Sequence, residues 1–247
     1  MISIIIATYN AAATLQKCLD SIRSQKAQEV ELLVIDGLSS DNTMEIVAQN
    51  RDIINIAVSE KDNGLYDAWN KGIVRSKGDW ILFIGADDVL EDGAISAYQE
   101  LIELNADKEF DYISANVNYI DNNGRIIKTL GSAWDWNVFQ KKMNVAHVAS
   151  LHNKRLFDEI GLFDLNYKIC ADYELLLRKR DKLRALFMPV TVASMQMGGV
   201  SFTTKAIDET CRIVSATNNF NSLQTTSILI AKYIQFYLFR LLRITLK

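Results

Sequence analysis

Asp79-Trp80-Ile81-Leu82-Phe83-Ile84-Gly85-Ala86-Asp87-Asp88 is the stretch on which the fold turns: five apolar residues, two small ones, then two adjacent carboxylates. A short apolar run closed by turn residues reads as a strand buried on both faces. Its carboxyl end then presents Asp87 and Asp88 together. Oxygen ligands of this kind suit a hard divalent cation, which can in turn clamp a diphosphate. The same pair can also serve only to turn the chain and cap the next helix.

Working outward, the same reading repeats on both sides. Ile2–Ala7 predicts a buried strand, and Leu15, Cys18, Leu19 and Ile22 recur at the spacing of a helix packed on it. Glu31–Asp36 predicts a second strand, followed by Ser39-Ser40-Asp41-Asn42-Thr43, rich in helix-starting residues. Ile54–Val58 predicts a strand, Tyr66–Ser76 a helix and Gly93–Leu104 another. Strands alternating with helices imply an α/β fold, a mostly parallel sheet covered by helices. Ligands of such sheets bind beyond the carboxyl ends of the strands, so Thr8-Tyr9-Asn10, Asp36 and Asp87-Asp88 are expected to share one crevice. Past Tyr112–Asn116 the pattern becomes mixed. Asp121-Asn122-Asn123-Gly124 predicts a hairpin turn between Val117–Ile120 and Arg125–Thr129, with helices over Asp172–Lys182 and Ala206–Leu223 and a strand near Val190–Met195.

Composition narrows the function. The 247 residues are 49% hydrophobic with a net charge of −3 and no long basic block, which gives no support for nucleic-acid binding. Three separated cysteines and two histidines argue against a disulfide framework or a zinc site. The opening apolar run lacks a charged flank and a cleavage site, so it is read as a strand and not a signal peptide. Neither a Gly-x-x-x-x-Gly-Lys-Ser/Thr loop nor a Gly-x-Gly-x-x-Gly after the first strand is present, excluding P-loop and dinucleotide-binding readings.

Four stretches together resemble the family 2 glycosyltransferases of the GT-A fold. They are Ile4-Ile5-Ile6-Ala7-Thr8-Tyr9-Asn10, Val34-Ile35-Asp36-Gly37-x-Ser39-Ser40-Asp41-x-Thr43, Asp62-Asn63-Gly64-Leu65-Tyr66-Asp67-Ala68-Trp69-Asn70-Lys71-Gly72, and Asp87-Asp88. The likeness resumes at Asp172-Tyr173-Glu174-Leu175-Leu176-Leu177-Arg178 and Gly198-Gly199-Val200-Ser201. It implies that Thr8, Tyr9 and Asp36 hold the base and ribose of a nucleotide sugar, that Asp87 sits near the ribose, and that Asp88 ligates Mn2+ or Mg2+. Lys71 would face the donor phosphates or sugar. Two positions depart from the pattern: Gly85 stands where many relatives are acidic, and Ala171 where a catalytic Glu-Asp pair often has its Glu.

Sugar transfer with inversion needs one base to take the acceptor proton. The resemblance implies that Asp172, the one member of the Glu-Asp pair present, is this base, and it is also read as the N-cap of the helix that follows it. Glu174, about 200° around the helix, is not expected to face the same atom. Asp67 and Lys71 are read either as substrate-binding groups or as an i,i+4 ion pair, His147 as an acceptor contact or a core residue, and Trp134-Asp135-Trp136 mainly as packing.

The resulting expectation is an inverting, metal-dependent glycosyltransferase. It would use a nucleotide-sugar donor, a UDP-sugar, and a glycan or lipid-linked acceptor in bacterial surface polysaccharide biosynthesis. The alternatives are a nucleotidyltransferase, which would carry a glycine-rich basic loop where Asn10-Ala11-Ala12-Ala13-Thr14 stands, and a non-catalytic sugar-nucleotide binder, which Ala171 would favour. Residues 1–205 are expected to form the catalytic domain, with 1–95 binding the nucleotide sugar and 96–205 the acceptor, and 206–247 a helical tail. From Thr210 to Lys247 there is no acidic residue, while Arg212, Lys232, Arg240, Arg243 and Lys247 are basic. No uncharged stretch reaches the roughly 18 residues of a spanning helix. Residues 226–247 are therefore expected to lie on the cytoplasmic face of the inner membrane, basic groups toward anionic lipid, or to pair with a second subunit in a homo-oligomer.

Overall fold

A computed structural model describes residues 1–25, 29–121, 123–217 and 220–245. The first half alternates as read: β1 (Ile2–Thr8), α1 (Leu15–Arg23), β2 (Val30–Asp36), α2 (Thr43–Gln49), β3 (Ile56–Ser59), α3 (Leu65–Arg75) and β4 (Trp80–Gly85). The second half continues with β5 (Val89–Leu90), α4 (Ala94–Leu104), β6 (Tyr112–Ile120), β7 (Ile126–Leu130), α5 (Trp136–Phe139), β8 (Leu151–Asn153), α6 (Lys154–Ile160), α7 (Ala171–Lys179), β9 (Ala185–Gln196), α8 (Thr204–Thr217) and α9 (Ser222–Thr245).

Nine strands among the described residues form one sheet, ordered β3-β2-β1-β4-β8-β6-β9-β5, with β7 hydrogen-bonded to β6. The block β3-β2-β1-β4 is parallel. The three-residue β8 then runs antiparallel to both β4 and β6, and β6 pairs in parallel with β9. Two parallel pieces are thus spliced through one short reversed strand. Because successive side chains on a strand point to opposite faces, Ile4, Ile6, Leu32, Val34, Leu82 and Ile84 pack with α1 and α4. Ile5, Leu33, Ile35, Ile81 and Phe83 pack with α3 and the start of α7.

The expected hairpin forms, with Asp121 N–H bonded to the Arg125 carbonyl and Gly124 N–H to that of Asp121; Asn122 lies outside the described residues. Helix α7 begins at Ala171 and stops at Lys179, because Arg180 takes a left-handed φ of 55°. A single 3-10 turn, Arg180–Lys182, replaces the rest of the predicted helix. The predicted 206–223 helix also divides: α8 ends at Thr217, Asn218 and Asn219 lie outside the described residues, and α9 begins at Ser222. Ile213 and Val214 of α8 are fully buried with Tyr173, Leu176 and Leu177. Of the stretch expected as a tail, α8 is therefore packed into the domain.

Candidate active site

Register brings the nucleotide side of the site together. Thr8 stands opposite Asp36 across β1 and β2, and Asp36 opposite Ser59 across β2 and β3. The Asp36 carboxylate lies in the middle of this row, fully buried. It accepts hydrogen bonds from Thr8 Oγ1 (2.9 Å), Ser59 Oγ (2.7 Å), and the Ser39 hydroxyl and backbone N–H (3.0 Å for the latter). Burial alone would raise its pKa, but the donors from Ser39, Ser59 and Thr8 together hold it below the ordinary value. These bonds tie Thr8, which lines the crevice, to Ser39 and Ser59 through Asp36. Beside it Asn10, at φ 50°, accepts Ser40 N–H at 2.9 Å and locks the loop after β1 to the loop after β2.

The crevice itself encloses about 470 Å³ and is lined by Thr8, Tyr9, Gly37, Lys61, Asp62 and Leu65, among others. Its size is that of a small-ligand pocket. Tyr9 is 68% exposed, leaving its ring free to stack on a planar base. Lys71 does not reach the lining. Its ammonium donates to the Lys61 carbonyl (2.6 Å) and lies 3.5 Å from Glu60 and 3.8 Å from Asp67. Asp67 also accepts from Asn63 N–H at 2.8 Å. The local ion-pair alternative describes Asp67 and Lys71 as they stand, while Asp62 and Lys61, the latter not singled out by the sequence, face the crevice.

At the end of β4, Asp87 is exposed and Asp88 buried, with Asp88 Oδ2 accepting Gly85 N–H at 3.0 Å. A β-carbon on Gly85 would stand 2.7 Å from Asp88 Oδ2 and 2.9 Å from Asp87 Oδ1. Glycine is thus what lets both carboxylates close over the strand end, which gives the departure at this position a steric reason. Burial first, then the negative charge of Asp87, push the Asp88 carboxyl up to about 7, against the pull of Gly85 N–H. A charge pair held this way is relieved by a cation. No group of three or more His, Cys, Asp or Glu side chains placed to hold a metal ion occurs among the described residues. Asp87 and Asp88 would supply two of the oxygen ligands that a Mg2+- or Mn2+-type ion needs.

Across the site, Asp172 is the second residue of α7 and is half-buried. It is not the N-cap: the helix starts one residue earlier, with Cys170 at the cap position and Ala171 fully buried against Leu175 and Phe163. Tyr66, the second residue of α3, donates to Asp172 Oδ1 (3.0 Å) and to the Ile169 carbonyl (2.7 Å). Burial lifts the Asp172 carboxyl to about 6, opposed by the N–H groups of Tyr173 and Asp172 and by the Tyr66 hydroxyl. Glu174 is turned away and bound bidentately to Arg178.

Tyr119, near the end of β6, was not singled out by the sequence; its ring meets Phe202 edge-on at 5.3 Å, and burial first, then the charges of Asp88 and Asp172, raise its phenol. The only trace it leaves in the sequence is its place in the alternation of that strand. His147 lies in the core, stacked on Trp69 at 5.1 Å, its Nε2 without a protein partner, and burial pushes it down to about 3. Trp134 packs on Phe139 at 4.2 Å, and Asp135 caps α5.

Comparison with known proteins now decides the family. The profile of Glycosyl transferase family 2 matches residues 3–158. The chain belongs to this family. A PGL/p-HBAD biosynthesis glycosyltransferase of Mycobacterium bovis is 35% identical over 209 residues, covering 82% of this chain and 80% of that one. Glycosyltransferase GlyG of Streptococcus pneumoniae is 27% identical over 180 residues, 65% of this chain and 59% of that one. Among solved structures, S. aureus TarS 1-349 in complex with UDP-GlcNAc superposes with a TM-score of 0.69 at 16% identity, over 96% of this chain and 72% of that one. The mannosyltransferase PcManGT from Pyrobaculum calidifontis, in complex with GDP-Man and Mn2+, gives 0.64 at 18% identity, over 94% and 68%. At such identities these two establish the fold, which is GT-A: a mixed sheet flanked by helices, with a C-terminal helix. The glycosyltransferase has no helix, among its described residues, long and apolar enough to cross a membrane.

Proposed function

We propose that this glycosyltransferase moves a sugar, with inversion, from a nucleoside diphosphate sugar of the UDP class onto a hydroxyl of a glycan or lipid-linked glycan acceptor. Asp172 carries the reading: a single carboxylate at the start of a helix, gripped by Tyr66 and raised to about 6, suited to taking a proton near neutral pH. The donor lies along the Thr8–Tyr9–Asp62 crevice with its diphosphate toward Asp87 and Asp88. Asp88, with Asp87 beside it, would hold a divalent cation. When bound, that ion neutralises the charge of the departing diphosphate. Asp172 draws the proton from the acceptor hydroxyl, whose oxygen attacks the sugar on the face away from the leaving group. The bound nucleotide sugars of the structural neighbours, and the Mn2+ of one of them, support the donor class and the ion.

The acceptor side points to a surface. Ile230, Ile234, Tyr237 and Leu241 form one stripe on α9, each more than half exposed, with Leu238 beside it. With no acid between residues 210 and 247, an anionic lipid face complements this helix better than a second copy of itself, which would set like charges together. Cytoplasmic placement on the inner membrane, in surface polysaccharide synthesis, follows from a lipid-linked acceptor.

The test is Asp172→Asn assayed against a panel of UDP- and GDP-sugars. Turnover should fall roughly a hundred- to ten-thousand-fold, the usual loss with a general base, while calorimetric donor affinity stays. Wild-type turnover in this variant would remove Asp172 from the mechanism, and the panel names the donor.

A further inference from the structure

Helix α7 begins without a side-chain cap of its own, since Cys170 occupies the cap position and makes no such bond. The N–H groups leading into it nevertheless have a partner. Lys168, Ile169 and Cys170 all donate to one carboxylate, that of Glu209 on α8, at 3.0, 2.7 and 2.7 Å. Glu209 is 10% exposed and has Arg212 at 3.6 Å, whose guanidinium also donates to the Asn166 carbonyl.

The peptide joining Ile169 to Cys170 is held at both ends. Its N–H goes to Glu209, and its carbonyl takes the Tyr66 hydroxyl that also reaches Asp172. The next turn outward is tied as well, Lys168 Nζ donating to the Asn63 carbonyl at the edge of the donor crevice. An uncharged cap would satisfy these N–H groups at a smaller desolvation cost. A carboxylate here also places a negative charge in the field of Asp172. The titratable groups facing Asp172 are Tyr66 of α3, Tyr112 and Tyr119 of β6, Cys170 ahead of α7, and Glu209 of α8, the last being the one acid among them.

We infer that Glu209 is a positioning residue for Asp172: from α8 it clamps the 168–170 turn and fixes where Asp172 enters the acceptor side. The inference rests on Asp172 being the base, and its test is built so that the two can fail separately.

In the full chain, the carboxyl carbon resonance of Asp172, assigned by its loss in Asp172→Asn, is titrated in wild type, Glu209→Gln and Glu209→Ala. Amide exchange is measured at Ile169 and Cys170, and turnover with the donor found by the panel. Removing the charge should move the Asp172 midpoint to lower pH and speed exchange of both amides at least about tenfold. Turnover should fall by roughly ten- to a hundredfold with donor KM kept, the scale of a misplaced group. General destabilisation would lower the melting temperature and leave the Asp172 midpoint in place. An unshifted midpoint with wild-type amide exchange in Glu209→Gln, which keeps the size of the side chain, overturns the clamp. Should Asp172→Asn keep wild-type turnover, the base assignment falls, while the midpoint and exchange still judge Glu209.

Discussion

Asp172 and Asp88 are both raised above the ordinary carboxylate range, but by different neighbours, and the difference can be measured. Asp172 is lifted by burial and restrained by donors, Tyr66 among them. Its working form is the deprotonated one, so activity should rise as pH climbs through about 6. Tyr66→Phe removes a donor that favours the charged form, so the acid limb of the pH–rate profile should move to higher pH; a limb that stays or moves down would show that Tyr66 does not act on this carboxylate. Asp88 is lifted by burial and by Asp87, and a cation reverses the second effect. Chelator should therefore abolish turnover, and Mn2+ or Mg2+ should restore it in wild type but poorly in Asp88→Ala. Full turnover in chelator would leave the diphosphate to side chains such as Lys61. Asp87-Asp88 was legible in the sequence because its partners are local, Gly85 lying three residues away. Glu209 was not, because what it holds lies about forty residues back and no spacing rule links the two.

Helix α3 positions Tyr66 by resting directly on β1. A β-carbon on Gly72 would stand 2.5 Å from Ile5 Cγ2, and Ile5 is fully buried. Gly72→Ala should therefore wedge α3 off the sheet, at a cost of about 1–3 kcal/mol, read as a lowered denaturant midpoint together with reduced turnover. A midpoint at or above that of wild type would mean that Ile5 moves aside freely. The helical spacing of Tyr66, Trp69 and Ile73 makes α3 readable in the sequence, and these residues lie on its buried face with Ala68 and Gly72. Element ends were harder. Strand β9 begins well before the expected Val190, running through Pro189, because the register with β6 shifts between Met188 and Thr191. Proline lacks an N–H and is tolerated where such an irregularity leaves the ladder unpaired. Nothing local signals that the neighbouring strand supplies it.

Across the whole molecule, α9 is fastened to the domain on one side and bare on the other. Ile228 packs against the cluster holding Ile213 and Val214, and the Tyr233 hydroxyl donates to Asp208 at 2.7 Å. Lys232, expected among the lipid-facing cations, is instead turned inward near Cys211 and Cys170, where burial lowers its pKa. The side chains of Arg240, Arg243 and Lys247 lie outside the described residues. Deleting residues 222–247 should abolish co-sedimentation with anionic liposomes at low salt. Equal binding by the truncated chain, or none by the full one, would reject the lipid face and favour a subunit contact.

The spliced sheet also fixes an order in time. Every strand of the β3-β2-β1-β4 block is contained in residues 2–85, although β1 and β4 pair across most of that length, Ile2 opposite Trp80. The other block is completed later in the chain: β6, ending at Ile120, waits for β9, whose first residue is Ala185. Both blocks must close a long loop, so what separates them is their order along the chain. On a ribosome, where the amino-terminal part emerges first, the nucleotide crevice can take shape before the strand that braces the acceptor side has been synthesised. Until then β6 stands with one edge open, which makes the interval before residue 185 the period when this chain is most exposed to wrong partners.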